Sequence, residues 1–309
     1  MRTLDLRVAA VAPVSPGVRS LALQRPGGGP LPSFPPGAHV GVEWAPGRWN
    51  PYSLTGPQDE PARWHVSVAL RPGGHGGSAW MHARSPGDPV RVTAPRSTFA
   101  PDDTARHHLL VAGGIGVTPV LSHVRRHLAW SAPFTVLFVH RPGRAPHAAE
   151  LAALCGDRLV TATGRAAARA QLARLLGTAP FGSHVHTCGP PGLVAAVADA
   201  ARAAHWVAGR VHAESFDAPP VTGRPFRVVL RRSGRTVPVG AGESLLDAVT
   251  RAGVRAPSLC RSGVCGECVT TVHRGAVEHR DTVLAPDGRD GRMALCVSRA
   301  AGDELEIDL

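Results

Sequence analysis

The rhythm of apolar and polar positions changes twice along the chain. In residues 1–100, apolar residues alternate with polar ones or cluster over strand lengths at 4–11, 18–23, 39–44 and 64–69. Proline and glycine turns such as Arg25-Pro-Gly-Gly-Gly-Pro30 cut these runs. Roughly six short strands without a strong helical period predict a small antiparallel β-barrel over residues 1–103. From 104 to 218 the pattern becomes strand, turn, helix. A continuous apolar run at 108–112 reads as a buried strand and is followed by a glycine-rich turn and a helical stretch at 120–128. A second apolar strand lies at 134–139, a helix at 150–154 and a third strand at 184–187. Such alternation predicts an α/β domain with a parallel sheet. Residues 217–225 carry prolines, a glycine and no periodicity, and read as a linker. Beyond it, 226–230 and 235–239 form a hairpin pattern across Ser233-Gly234, 244–251 reads as a helix, and 269–273 and 305–307 as strands. These predict a compact α+β module over 226–309.

Composition fits this three-part division. The 309 residues are enough for two or three cores, and 43% hydrophobic with 18% charged residues is the balance of a soluble globular protein. No apolar run approaches the roughly 20 residues of a membrane span, and the N-terminus has no signal-peptide pattern, so the expected location is cytoplasmic. The net charge of +11 suggests nucleic acid at first sight. All 34 basic residues are arginine, however, which marks a compositional bias, and no basic run is interleaved with aromatics. Nucleic-acid and membrane partners are therefore not expected.

The chemistry concentrates in the last module. Cys260-Arg-Ser-Gly-Val-Cys265-Gly-Glu-Cys268, with Cys296 downstream, has the C-x4-C-x2-C…C spacing of a plant-type 2Fe–2S loop. Two irons bridged by two sulfides need four thiolates, and small residues at 262, 263 and 266 let backbone N–H groups turn toward the sulfurs. Structural zinc would pair two short C-x2-C hooks, and only one is present. Nothing marks the chain as secreted, which argues against disulfides. Cys155 and Cys188 lie outside this set. Two loops of the barrel region also stand out. Asn50-Pro-Tyr52-Ser53-Leu54-Thr55 puts an aromatic and two hydroxyls at a strand end. Gly73-Gly-His75-Gly76-Gly77-Ser78 runs into a helix whose first N–H groups suit a phosphate, although either loop could be a plain turn. In the α/β region, Gly113-Gly-Ile-Gly116-Val-Thr118-Pro119 and Thr187-Cys188-Gly189-Pro190 each follow a strand and precede a helix, where such sheets bind dinucleotides.

The order of these segments resembles the phthalate dioxygenase reductase and vanillate demethylase reductase group, and the likeness covers essentially the whole chain. Ala112-Gly-Gly-Ile-Gly-Val-Thr-Pro119 resembles the group's pyrophosphate turn, and Cys188-Gly-Pro190 the turn that meets the nicotinamide. Val211-His-Ala-Glu214-Ser-Phe216 is similar to the segment ending the nicotinamide domain beside the flavin. His279-Arg-Asp-Thr-Val-Leu284 with Leu295-Cys296-Val-Ser-Arg299 is similar to the ferredoxin tail.

The resemblance implies an NADH-dependent reductase carrying FMN and a 2Fe–2S cluster, working as a monomer that feeds a terminal oxygenase. A Rieske-type oxygenase is the favoured partner. A haem monooxygenase is the alternative, and a redox-sensing iron–sulfur regulator the reading from another class. Carried over by position, Asn50, Tyr52, Ser53, Leu54 and Thr55 would line the flavin, as would Val68, Ala69, Leu70 and Arg71. His75, Gly76, Gly77 and Ser78 would hold its phosphate. Gly113, Gly114, Gly116, Thr118 and Pro119 would hold the nicotinamide pyrophosphate, and Arg141 would lie near the adenosine ribose. Cys188, Gly189, Pro190 and Phe216 would line the nicotinamide. Ser53, Cys188 and Glu214 would flank the reacting atoms. Two departures stand out. The group's Arg-x-Tyr-Ser has Asn50 in place of arginine, and its Gly-Arg-Gly-Gly-Ser becomes Gly74-His75-Gly76-Gly77-Ser78. The missing adenine-side loop favours FMN over FAD.

Overall fold

The computed structural model describes residues 2–74, 76–217 and 221–309; His75 and part of the linker lie outside the described residues. The chain divides into two compact units, one of Met1–Pro46 with Asn50–Phe216, the other of Asp217–Leu309 with Gly47–Trp49.

The first unit opens with six antiparallel strands: β1 (Thr3–Ser15), β2 (Val18–Gln24), β3 (His39–Ala45), β4 (Arg48–Ser53), β5 (Trp64–Ala69) and, after the short helix α1 (Gly77–His82), β6 (Pro89–Thr93). Their order is β4-β3-β6-β1-β2-β5, and a bridge between Leu54 and Val66 brings the two ends together. Alternation along the strands sends Leu6, Val8, Leu21, Leu23, Val40, Val42, Val66 and Val92 into one core around the fully buried Trp64. The Trp64 indole N–H donates to the Pro32 carbonyl at 3.1 Å, so its one polar atom is satisfied.

The same unit continues as a parallel sheet: β7 (His107–Gly113), α2 (Val117–Ala129), β8 (Phe134–His140), α3 (Ala148–Cys155), β9 (Leu159–Thr163), α4 (Arg165–Thr178), β10 (Ser183–Cys188), α5 (Pro191–Ala203) and β11 (Val211–Glu214). The strand order is β11-β10-β7-β8-β9. Leu110, Ala112 and Phe138 pack on one face with Val117, Val120, Leu121 and Val124 of α2, which recur at helical spacing. Leu109, Val111 and Val185 pack on the other with α4 and α5. The barrel and this sheet are joined by directed bonds. Gln58 donates to the Ser122 carbonyl at 2.7 Å and hydroxyl at 2.9 Å, and Arg125 donates to the Thr55 carbonyl at 2.9 Å. His123 lies 2.7 Å from the Phe99 carbonyl.

The second unit holds β12 (Phe226–Leu230), β13 (Arg235–Val239), α6 (Leu245–Arg251), β14 (Val269–Arg274), β15 (Val277–Glu278), β16 (Arg292–Ala294), β17 (Arg299–Ala300) and β18 (Glu304–Ile307). Its main sheet has the order β13-β12-β18-β14-β16. Ser244 caps α6 by accepting the Asp247 N–H at 3.0 Å. Arg299 is buried; its guanidinium donates to the carbonyls of Glu243, Arg224 and Gly240 at 2.7–3.0 Å. Among the described residues, no helix is long and apolar enough to cross a membrane.

Candidate functional site

The cysteine loop lies between α6 and β14. Arg261, Gly263 and Gly266 all have positive φ, at 57°, 77° and 77°. These kinks curl the loop, and glycine relieves the strain at two of them. Gly263 is also required by space, since a Cβ there would lie 2.7 Å from Val297 and 3.1 Å from the Asp281 backbone. Arg261 pairs with Asp247 of α6, which ties the loop to the helix. The sulfurs fall into two pairs. Cys268 and Cys296 stand 3.2 Å apart and are buried, while Cys260 is hydrogen-bonded to Cys265. The hydrogen bond from Cys265, with help from Ser262 and the Val264 N–H, pulls the Cys260 thiol below its ordinary value. Cys296 lowers Cys268 in the same way.

This arrangement discriminates between metals. Tetrahedral zinc with Zn–S bonds of about 2.3 Å would draw all four sulfurs to within about 3.8 Å of one another. Among the described residues, the one group of three ligand atoms within 4.8 Å of each other is Asp102, His184 and His212, so no three of these sulfurs close on a single ion. Two pairs suit a two-iron cluster, which Cys260, Cys265, Cys268 and Cys296 would hold.

In the first unit the chain runs from β7 outward through β8 to β9, then returns to β10 on the opposite side of β7. The carboxyl ends of β7 and β10 are therefore the switch point where open α/β sheets bind ligands. Both glycine turns lie there. A Cβ on Gly116 would overlap the Cys188 carbonyl, and one on Gly113 would lie 2.6 Å from Leu193 and 2.8 Å from Pro190. Gly189 lies against Gly113 in turn, so the two loops touch backbone to backbone and only glycine fits. Gly114 has a φ of +54° at the start of the turn. Thr118 is buried and donates its hydroxyl to the Ile115 carbonyl at 3.0 Å, locking the turn; Pro119 is also buried, within the first turn of α2. Cys188 pairs in register with Glu214. Burial, and secondarily the Glu214 charge, pushes the Cys188 thiol well above its ordinary value, so it is a neutral thiol rather than a nucleophile. Phe216, two residues beyond Glu214, is 38% exposed. Arg141 is exposed at the end of β8, in a turn closed by the Arg144 N–H on its carbonyl at 3.0 Å.

On the barrel, Ser53 and Leu54 are buried at the end of β4, and the Leu54 N–H donates to the Ala38 carbonyl at 2.8 Å. The Thr55 hydroxyl donates to the His65 carbonyl at 3.3 Å. Burial pushes the Tyr52 phenol up to about 12, with the Asn50 side chain and the Arg71 charge acting in the opposite direction. The Tyr52 hydroxyl is buried without a hydrogen bond in normal geometry, as a group awaiting a partner would be. Val68 is buried, Ala69 is half-buried, and Leu70 and Arg71 are exposed at the end of β5. The Ser78 hydroxyl accepts the Arg71 N–H at 3.1 Å, which closes the loop between them. Asn50 accepts the Trp44 indole N–H at 3.2 Å, and a Cβ on Gly77 would lie 2.3 Å from its amide nitrogen, so the Asn50 side chain would have to move. Trp44 also covers Gly76, whose φ is +103°. Sequence reading missed Trp44, because the signal is the pair of glycines it packs on rather than anything in its own surroundings. His75 lies outside the described residues.

Residues 89–211 match the family model of the dimethylamine monooxygenase subunit DmmA-like N-terminal domain, and residues 228–301 match the 2Fe-2S iron-sulfur cluster binding domain. The chain is 38% identical over 309 residues to the heme-dependent oxidative N-demethylase beta subunit of Ectopseudomonas mendocina, covering 99% of both chains. It is 35% identical over 322 residues to phthalate dioxygenase reductase of Burkholderia cepacia, covering 99% of this chain and 97% of that one. The solved phthalate dioxygenase reductase superposes with a TM-score of 0.77 at 34% identity, covering 99% and 98% of the two chains. An intact type IV self-sufficient cytochrome P450 monooxygenase superposes with a TM-score of 0.78 at 31% identity, over 99% of this chain and 41% of that one. The chain belongs to the phthalate dioxygenase reductase-like family, the flavin and iron–sulfur reductase components of oxygenase systems.

Proposed function

We propose that the protein carries electrons from NADH through FMN and its 2Fe–2S cluster to a terminal oxygenase, with a Rieske-type oxygenase as the first reading. The observation that carries this is the two-by-two grouping of the four cysteine sulfurs in a chain that also has a glycine-lined switch point. Flavin supplies the step that neither other group can, accepting electrons as a pair and releasing them singly.

The chain's own residues bind and position. The turn at Gly113–Gly116 would take the pyrophosphate through its backbone N–H groups. Neutral Cys188 and the Glu214 carboxylate on the adjoining strand would border the nicotinamide, and buried Ser53 would border the flavin ring. The unsatisfied Tyr52 hydroxyl and the nearby Arg71 charge fit a flavin bearing a phosphate. A haem partner is the second reading. It is favoured by the N-demethylase relative, whose name specifies heme, and by the cytochrome P450 likeness.

Cys265→Ala tests the relay. The variant is expected to lose NADH-driven reduction of a one-electron protein acceptor while keeping NADH-driven bleaching of the flavin. Loss of both would place the cluster before the flavin and refute the order.

A further inference from the structure

Away from the nicotinamide turns, three side chains from three segments converge at the amino end of β10. His184 Nδ1 lies 3.0 Å from His212 Nε2 of β11 and 3.7 Å from Asp102 Oδ2, in the connector between β6 and β7. All three ligand atoms lie within 4.8 Å of one another. The His184 side chain is 7% exposed, and that of Asp102 is 35% exposed.

A hydrogen bond accounts for the two imidazoles, which are 3.0 Å apart with their rings 13° from parallel, but not for Asp102, because 3.7 Å is too long for a nitrogen–oxygen hydrogen bond. Metal bonds of about 2.0–2.2 Å to nitrogen and oxygen in a tetrahedron put ligand atoms about 3.3–3.6 Å apart, between the two distances seen. The ligands are also held in place. The Thr104 N–H donates to Asp102 Oδ1 at 2.8 Å, leaving Oδ2 for the histidines. The His212 ring stacks on His186, with centroids 4.3 Å apart, and His186 lies 3.3 Å from the Ala100 carbonyl two residues before Asp102. We propose that Asp102, His184 and His212 form a binding site for a borderline divalent cation of the zinc class, distinct from the cysteine cluster and independent of the reductase reading. Two imidazoles and one carboxylate suit such an ion better than magnesium or calcium, which take mostly oxygen. Three protein ligands leave a fourth position for water. The bound ion would tie the connector to β10 and β11.

The test uses untagged holoprotein, with the visible absorption of the cluster recorded throughout so that attack on the thiols is seen. Zinc is titrated by calorimetry at pH 7.5 in excess magnesium, and melting is followed with and without zinc. One equivalent should bind with the cluster spectrum unchanged and raise the melting temperature. His212→Gln and Asp102→Asn, both at partly exposed positions, should each weaken binding about tenfold or more and abolish the melting shift. No bound equivalent in the wild type, binding only with bleaching of the cluster, or wild-type affinity in either variant would overturn the proposal.

Discussion

Buried histidines in the α/β core, three of them on α2 and β7, make the first unit sensitive to acid. His123 and His127 on α2 and His108 on β7 are all at most 4% exposed. Burial is the leading cause that lowers each, to about 4 for His108 and His123 and about 2 for His127. Well above pH 6.5 neither the folded nor the unfolded chain protonates them, so stability is at its full value. As pH falls through 6.5, the unfolded chain takes up protons that the folded chain refuses, and stability falls. A pH of 5 lies about 1.5 below the ordinary histidine value near 6.5, which corresponds to a loss of about 2 kcal/mol per histidine, because each folded value lies well below 5. The three together approach about 6 kcal/mol, against a typical total of about 5–15 kcal/mol.

His127→Leu isolates one of these contributions. Both ring nitrogens of His127 are buried without hydrogen-bond partners, and the ring stacks on His108 with centroids 4.0 Å apart. Removing two unsatisfied polar atoms should leave stability at pH 7 nearly unchanged or slightly higher. At pH 5 the variant should exceed the wild type by a further amount of about 2 kcal/mol. Urea unfolding followed by tryptophan fluorescence at both pH values measures this, since five of the six tryptophans belong to the first unit. The same loss of stability from pH 7 to pH 5 in wild type and variant would refute the assignment.

Two other predictions concern the cofactors. Arg71→Ala should weaken FMN binding by about 1.5–3 kcal/mol and Ser78→Ala by about 1 kcal/mol, the ranges for charged and neutral hydrogen bonds. Fluorescence titration of the flavin measures both, and an unchanged Kd for the Arg71 variant removes it from the phosphate site. NADH should give a higher kcat/KM than NADPH, although Arg141 and Arg144 at the end of β8 would attract a 2′-phosphate; a preference for NADPH reverses the assignment.

Local chemistry was legible in the sequence because it depends on near neighbours. The C-x4-C-x2-C spacing, the two glycine turns after strands, the Ser233-Gly234 hairpin and the apolar runs of β1, β2, β3 and β5 are each set within a few residues. β9 and α4 were not legible. β9 has five residues, and α4 is so rich in alanine and arginine that its buried Ala168, Leu172, Leu175 and Leu176 make a faint stripe. The burial of Arg299 depends on three carbonyl acceptors drawn from residues 224 to 243, which no local pattern around it records. Only the tertiary structure decided which sulfurs pair, why Gly116 must face Cys188, and how Asp102 meets His184 and His212. Apart from the Cys260–Cys265 pair, those contacts join segments tens of residues apart. A linear pattern records which face a residue prefers, whereas the packing of the sheet decides what that face meets.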